Sequence, residues 1–128
     1  VCTSWYEDHL KKMIQISKTS LESEYDIQFL TAPGAIELAA SAKNSLSKEN
    51  FSGVLFLGII MRGETSHYDL VSQETFRSIG NLALEYPDKA FINNVICIEN
   101  ETQLVERIEK NTLNNCNALK SLIHEKSC

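Results

Sequence analysis

The residues whose types and spacing could do chemistry gather at residues 58–76, GIIMRGETSHYDLVSQETF. An apolar run ends there, turns through Arg62-Gly63-Glu64-Thr65, and opens a helix at Ser66 or His67. A strand feeding a glycine turn and then a helix start leaves backbone N–H groups unpaired and aimed at one point. Together with the helix dipole they make an anion site, with phosphate the usual guest. His67 stands at the head of that helix and can move protons near neutral pH. An ordinary capped helix with a surface histidine has the same local pattern, so both readings stand on this stretch alone. Glu64 complicates the anion reading, because a carboxylate beside the cradle repels phosphate unless it points away.

Other candidates carry two readings each. Trp5 is the only tryptophan and follows a strand end; it can pack in the core or form a flat wall for a heteroaromatic ring. Glu37 lies in a first helical turn, where the dipole alone favours a carboxylate, and it could equally bind substrate hydroxyls. Arg107, beside Glu106, reads as a solvated helix position. His9 and His124 sit among charged residues and read as surface positions. Asp69 is two residues from His67, the wrong spacing for a shared helix face. No Ser/His/Asp or Cys/His constellation assembles, and no metal-ligand set or C-x-x-C pair occurs among the four cysteines. Neither G-x-G-x-x-G nor a P-loop is present, which removes the main support for nucleotide binding. One histidine without a protein nucleophile points to proton shuttling on a substrate that brings its own nucleophile, with no cofactor and no metal.

The elements that must hold these residues alternate along the chain. Residues 1–3 read as the end of a strand whose beginning is absent. A helix follows with Leu10, Met13, Ile14, Ser17 and Leu21 on one face. Residues 26–32 (DIQFLTA) read as a strand closed by Pro33-Gly34, and a small-residue helix starts at Ala35. Residues 51–61 form a continuous apolar run suited to a central parallel strand. The helix after it carries Tyr68, Val71, Phe76, Ile79, Leu82 and Tyr86, with Ser66 and Asp69 as a capping box. Residues 90–98 (AFINNVICI) are a further strand, and residues 101–110 and 113–126 read as two helices. This alternation predicts an α/β domain, a three-layer αβα sandwich on a four-stranded parallel, flavodoxin-like sheet. Ligands bind such sheets at the carboxyl ends of the strands, where the unusual residues fall.

Composition narrows the class. A chain of 128 residues with 43% hydrophobic and 23% charged content is expected to be one soluble domain with its own core. A net charge of −5 without a Lys/Arg run argues against nucleic-acid binding. The longest apolar stretch, residues 54–61, is too short to span a bilayer, so no membrane partner is expected. The cysteines read as core thiols in a reducing compartment, the cytoplasm.

Three motifs in order then carry a resemblance. Ala32-Pro33-Gly34-Ala35-Ile36-Glu37-Leu38, the stretch Gly58-Ile59-Ile60-Met61-Arg62-Gly63-Glu64-Thr65-Ser66-His67-Tyr68, and Glu99-Asn100-Glu101-Thr102-Gln103-Leu104-Val105-Glu106-Arg107 resemble the PGA-x-E, RG-x-T-x-H and N-x-x-Q-x-x-E-R elements of 6,7-dimethyl-8-ribityllumazine synthase. The resemblance covers most of the chain from Trp5 onward. It implies a transferase of riboflavin biosynthesis, condensing 5-amino-6-(D-ribitylamino)uracil with 3,4-dihydroxy-2-butanone 4-phosphate.

In that resemblance His67 matches the catalytic proton-transfer histidine. Glu64, Thr65 and Arg107 match the butanone phosphate site. Trp5, Ala35, Ile36, Glu37, Ile59, Ile60, Met61 and Asn93 match the pocket for the ribitylaminouracil. It further implies a homo-pentamer, or an icosahedral shell of pentamers, with active sites between subunits and riboflavin synthase as a partner. Asn93 and Arg107 would then face a neighbour's Trp5 and His67. Three departures stand out: Tyr6 where the family often has asparagine, Asn93 where phenylalanine is common, and a loop after Arg107 about two residues short and lacking a glycine-lysine segment, for which Lys110 is the nearest substitute. They leave open a non-catalytic paralogue that binds lumazine or flavin. A flavodoxin-like or receiver-type signalling module would need an acidic pocket after the first strand, which Ser4-Trp5-Tyr6 does not offer.

Overall fold

A computed structural model describes residues 1–3, 6–63 and 66–127. Four strands, β1 (Cys2–Thr3), β2 (Thr31–Ala32), β3 (Gly53–Met61) and β4 (Ala90–Ile98), form one parallel sheet in the order β2-β1-β3-β4. Helices α1 (Glu7–Leu21), α2 (Leu38–Leu46), α3 (His67–Glu85) and α4 (Glu101–Ser127) cover it, with a 3-10 turn at Ala35–Glu37 before α2. The αβα sandwich expected from the alternation of elements is the architecture found.

Alternation along β3 sorts the core into two layers. Phe56 and Ile60 pack with Leu38, Ala42, Ile79 and Leu82 of α2 and α3. Leu57 and Ile59 pack with Leu10, Met13, Leu104 and Ile108 of α1 and α4. Side chains on successive residues face opposite sides of a strand, so a strand covered on both faces must be apolar throughout, as residues 53–61 are. The α1 face built from Leu10, Met13, Ser17 and Leu21 is buried as its spacing predicts. β3 and β4 pair over nine rungs, from Gly53↔Ala90 to Met61↔Ile98.

Four local expectations are corrected. Residues 26–32 do not make a full strand: only Thr31–Ala32 pair, and Phe29 is half exposed. A strand exists only where it has a partner, and β1 offers Thr31–Ala32 two rungs, Cys2 and Thr3. Residues 101–126 are not two helices but one, which continues through Asn111 and Thr112. No glycine or proline interrupts it, and Thr112 is fully buried, where its Oγ1 accepts from Asn94 Nδ2 at 3.0 Å. The stretch after Arg107 is therefore helix, not a shortened loop, and Lys110 is an exposed position on it. His9 is partly exposed, and its Nε2 lies 3.2 Å from Glu101 Oε1, tying α1 to the start of α4. Finally, Ser66 stands at the N-cap of α3 without a side-chain hydrogen bond, so the expected capping box with Asp69 is not made.

Candidate active site

Because all four strands are parallel, their carboxyl ends share one edge of the sheet. The strand order reverses direction between β1 and β3, which makes the crevice outside their carboxyl ends the favoured place for a ligand. β1 and β3 end there at Thr3 and Met61. The candidates Trp5, Glu64 and Thr65 lie outside the described residues.

Around the crevice the backbone is shaped locally. Tyr6 precedes α1 in the left-handed region, φ 58° and ψ 52°, and is the only described non-glycine residue with positive φ. Its carbonyl accepts the Leu10 N–H at 3.0 Å and so starts the helix. Pro33 and Gly34 end β2 and lead into the 3-10 turn of Ala35, Ile36 and Glu37, which lies against α3 and β3. Ile36 and Glu37 are exposed there, and Ala35 packs on the α2/α3 core. His67 is exposed as the first residue of α3. The fold thus brings the Ala35–Glu37 turn beside the element that His67 opens.

The carboxyl end of β3 is held by charge. The Arg62 N–H donates to Ile98 O at 2.9 Å, one step beyond the last rung of the β3–β4 ladder. Its guanidinium donates from Nη2 to Asp69 Oδ1 at 3.1 Å and pairs through Nε with Glu99 Oε1 at 3.4 Å. It also lies 4.4 Å from the Tyr68 ring centroid, within cation–π range. This fits the missing capping box: Arg62 takes the Asp69 carboxylate, while the Asp69 and Leu70 backbone N–H groups turn back to Ser66 O. Under Tyr68 sits Cys97. Burial pushes both the Tyr68 hydroxyl and the Cys97 thiol above their ordinary values.

The other proposed residues fall in two groups. Ile59 and Ile60 have their side chains in the core, 4% and 7% exposed, so only their backbone can face the edge, while Met61 is half-buried at the strand end. Asn93 lies in mid-β4, opposite Phe56, well back from the carboxyl edge. β4 is an edge strand, and Asn93 Oδ1 accepts the Val95 N–H at 2.9 Å, which satisfies a donor the sheet leaves unpaired. Arg107 is exposed on α4, which packs on the opposite side of the sheet from α3. One chain therefore collects His67 and the Ala35–Glu37 turn at one place and leaves Asn93 and Arg107 elsewhere.

Two features were missed in the sequence. Asn100 Oδ1 accepts the Gln103 N–H at 3.1 Å, and Gln103 Oε1 accepts the Glu99 N–H at 2.7 Å, a reciprocal cap on α4. The N-x-x-Q spacing just before an apolar run signals such a cap. Asn94, 2% exposed, donates to Thr112 and accepts from Asn115 Nδ2 at 2.6 Å, a buried polar link that no local spacing reveals.

A cavity of about 840 Å³ opens at the other edge, lined by Val1, Tyr25, Ile27, Leu30, Phe51 and Leu55 among others. Its size does not make it the site. It sits at the amino-terminal ends of the strands, and its walls hold no histidine.

The profile of the family described as 6,7-dimethyl-8-ribityllumazine synthase matches residues 1–124. A Neisseria meningitidis protein of that name is 36% identical over 88 residues, 69% of this chain and 55% of that protein. One from Neisseria gonorrhoeae is 37% identical over 86 residues, 67% of this chain and 54% of that protein. An Erythrobacter litoralis protein of the same name is 34% identical over 106 residues, 81% of this chain and 74% of that protein. The chain spans about half the length of the Neisseria relatives it matches.

Proposed function

The chain belongs to the 6,7-dimethyl-8-ribityllumazine synthase family, and we propose that it catalyses the condensation of 5-amino-6-(D-ribitylamino)uracil with 3,4-dihydroxy-2-butanone 4-phosphate. The observation that carries this reading is His67 exposed as the first residue of α3, the helix that follows β3 at the carboxyl edge of a parallel sheet. The pyrimidine's amine attacks the ketone carbonyl and water leaves as the imine forms. Phosphate is then eliminated, and the ribitylamino nitrogen closes the second ring on the remaining carbonyl with loss of a second water, completing the lumazine. Every step needs proton transfer and none needs a protein nucleophile, which suits a lone histidine.

In this reading His67 relays protons between the amine, the carbonyl oxygen and the leaving groups. Thr65, Glu64 and the N–H groups of the turn hold the phosphate, and Arg107 pairs with it through its planar fork. Trp5 stacks on the pyrimidine, the backbone of Ile59 and Ile60 and the Met61 side chain border it, and the Ala35–Glu37 turn receives the ribityl hydroxyls. Asn93 and Arg107 come from a neighbouring subunit. Their position away from His67 within one chain supports a homo-oligomer, a pentamer or a shell of pentamers. So does the exposure of Leu70 at 65%, Leu84 at 80% and Val105 at 62%. Cys2, Cys97 and Cys116 are free thiols, which supports a reducing compartment such as the cytoplasm.

The test is to mix the protein with both substrates and follow the fluorescence of the lumazine product, with light scattering on the same sample. Turnover above the uncatalysed rate in a species of five or more subunits is expected. Product at the uncatalysed rate removes the synthase reading, and an active monomer removes the shared site.

A further inference from the structure

Arg62 is a cation at the carboxyl end of β3, beside the proposed phosphate site, and its guanidinium is already engaged by the protein. One guanidinium meets Asp69 at 3.1 Å, Glu99 at 3.4 Å and the Tyr68 ring at 4.4 Å. Those three groups belong to two different elements: Tyr68 and Asp69 to the first turn of α3, Glu99 to the connection between β4 and α4. The Arg62 backbone is fixed in turn by its bond to Ile98 O. Exposed ion pairs taken singly contribute little, but a planar fork shared by two carboxylates and stacked on a ring is a geometry that one-point pairs lack.

We infer that Arg62 is a positioning residue that clamps the first turn of α3 and the start of α4 to the end of β3, and so sets where His67 stands. The inference rests on the reading of this edge as the active site. It assigns Arg62 no contact with substrate: two carboxylates already occupy its charge, so the phosphate must find its cation elsewhere. His67 is five positions from Arg62 along the chain, and the Arg62–Asp69 and Arg62–Tyr68 contacts close that short span just beyond His67. The same turn also carries backbone bonds from the Asp69 and Leu70 N–H to Ser66 O at 3.1 and 3.3 Å, and Ser72 Oγ donates to Tyr68 O at 2.6 Å.

Two measurements on Arg62→Ala in the assembled protein test this. Amide hydrogen exchange at Asp69 and Leu70 is expected to speed up about tenfold or more, while Ile79 and Leu82 in mid-helix keep their rates. In turnover assays, kcat is expected to fall about 10- to 100-fold with the KM for the butanone phosphate within about threefold of the parent. A large rise in that KM with kcat preserved would instead make Arg62 a phosphate ligand and overturn the inference. Unchanged exchange at Asp69 and Leu70 overturns it whether or not the protein turns over, so an inactive parent strikes only the synthase reading. Arg62→Lys serves where the alanine variant fails to fold. An ammonium can meet one carboxylate but cannot fork between two, so the same changes are expected at smaller size, and parent-like behaviour overturns the clamp.

Discussion

The two halves of the sheet are built very differently. β3 and β4 run side by side through nine rungs, with Phe56 stacked on Phe91 at 6.5 Å and α4 locked to β4 through Asn94. β1 and β2 meet over two rungs, and β1 touches β3 at one, Cys2↔Leu57. The proposed site straddles that boundary. His67 and Arg62 issue from the long-paired half, whereas Tyr6 and the Ala35–Glu37 turn issue from the short-paired half. The difference teaches that the proposed proton-transfer group is mounted on the firm side, while the side proposed to grip the ring and ribityl chain rests on fewer backbone bonds.

The largest effect should follow from breaking the firm half at its centre. Phe56 is fully buried between α2, α3 and the Phe91 ring. Phe56→Ala should cost about 3–5 kcal/mol of stability, the transfer term plus the cavity left behind. Urea unfolding followed by circular dichroism measures it. A loss below about 1 kcal/mol would mean that the long ladder is not where the stability resides.

The firm half was also the more legible one in the sequence, for physical reasons. β3 is apolar on both faces, and β4 is apolar apart from Asn93-Asn94, with turn residues at Gly63 and Pro87-Asp88 between them, so run length located both. Residues 26–32 have the same apolar character but lack a partner beyond Cys2 and Thr3, and pairing is a property of two strands. The supposed break in α4 failed because Asn111-Thr112-Leu113 looks polar in a local window, while a residue 18 positions away supplies the bond that buries Thr112. In the site, His67 and the helix start could be read from spacing. The Arg62 clamp could not, because its Glu99 partner is distant along the chain and Asp69 had a plausible local role as a cap. Trp5, Glu64 and Thr65 rest on resemblance to the family alone.

Asn94 tests whether the firm half depends on its polar link as well as its apolar layers. Asn94→Ala removes a donor to Thr112 and an acceptor for Asn115, leaving a buried hydroxyl without its partner. A loss of about 2 kcal/mol is expected, smaller than for Phe56 because less volume is removed. Asn94→Leu with Thr112→Val, which removes both ends of the bond, should recover part of that loss. If the double change is as damaging as the two single changes added together, the link is not a coupled unit.

Next in size is the chemistry itself. His67→Ala should slow lumazine formation by about tenfold or more, equivalent to about 1.4 kcal/mol of barrier, since proton transfer is lost while the substrate keeps its own nucleophile. The parent-like stability of this variant is part of the expectation, because His67 is exposed at a helix start. A rate unchanged within about twofold would remove His67 from the reaction.

The smallest effect belongs to the short-paired half and concerns Tyr6. Its backbone stands at φ 58°, where an L-residue's Cβ crowds the following carbonyl, at a cost of about 1–2 kcal/mol. Asparagine tolerates that region better than tyrosine, because its short polar side chain can bond locally. Tyr6 is 41% exposed, so replacing it forfeits modest packing. Tyr6→Asn should therefore raise stability by up to about 1 kcal/mol. Tyr6→Ala removes the same ring without easing the backbone, so it should not gain. Thermal unfolding of the two variants separates strain from packing: equal gains in both would show that the exposed ring, not the left-handed turn, was the unfavourable feature. A gain confined to Tyr6→Asn would place stored strain immediately beside Trp5, on the side of the crevice that the sheet holds least.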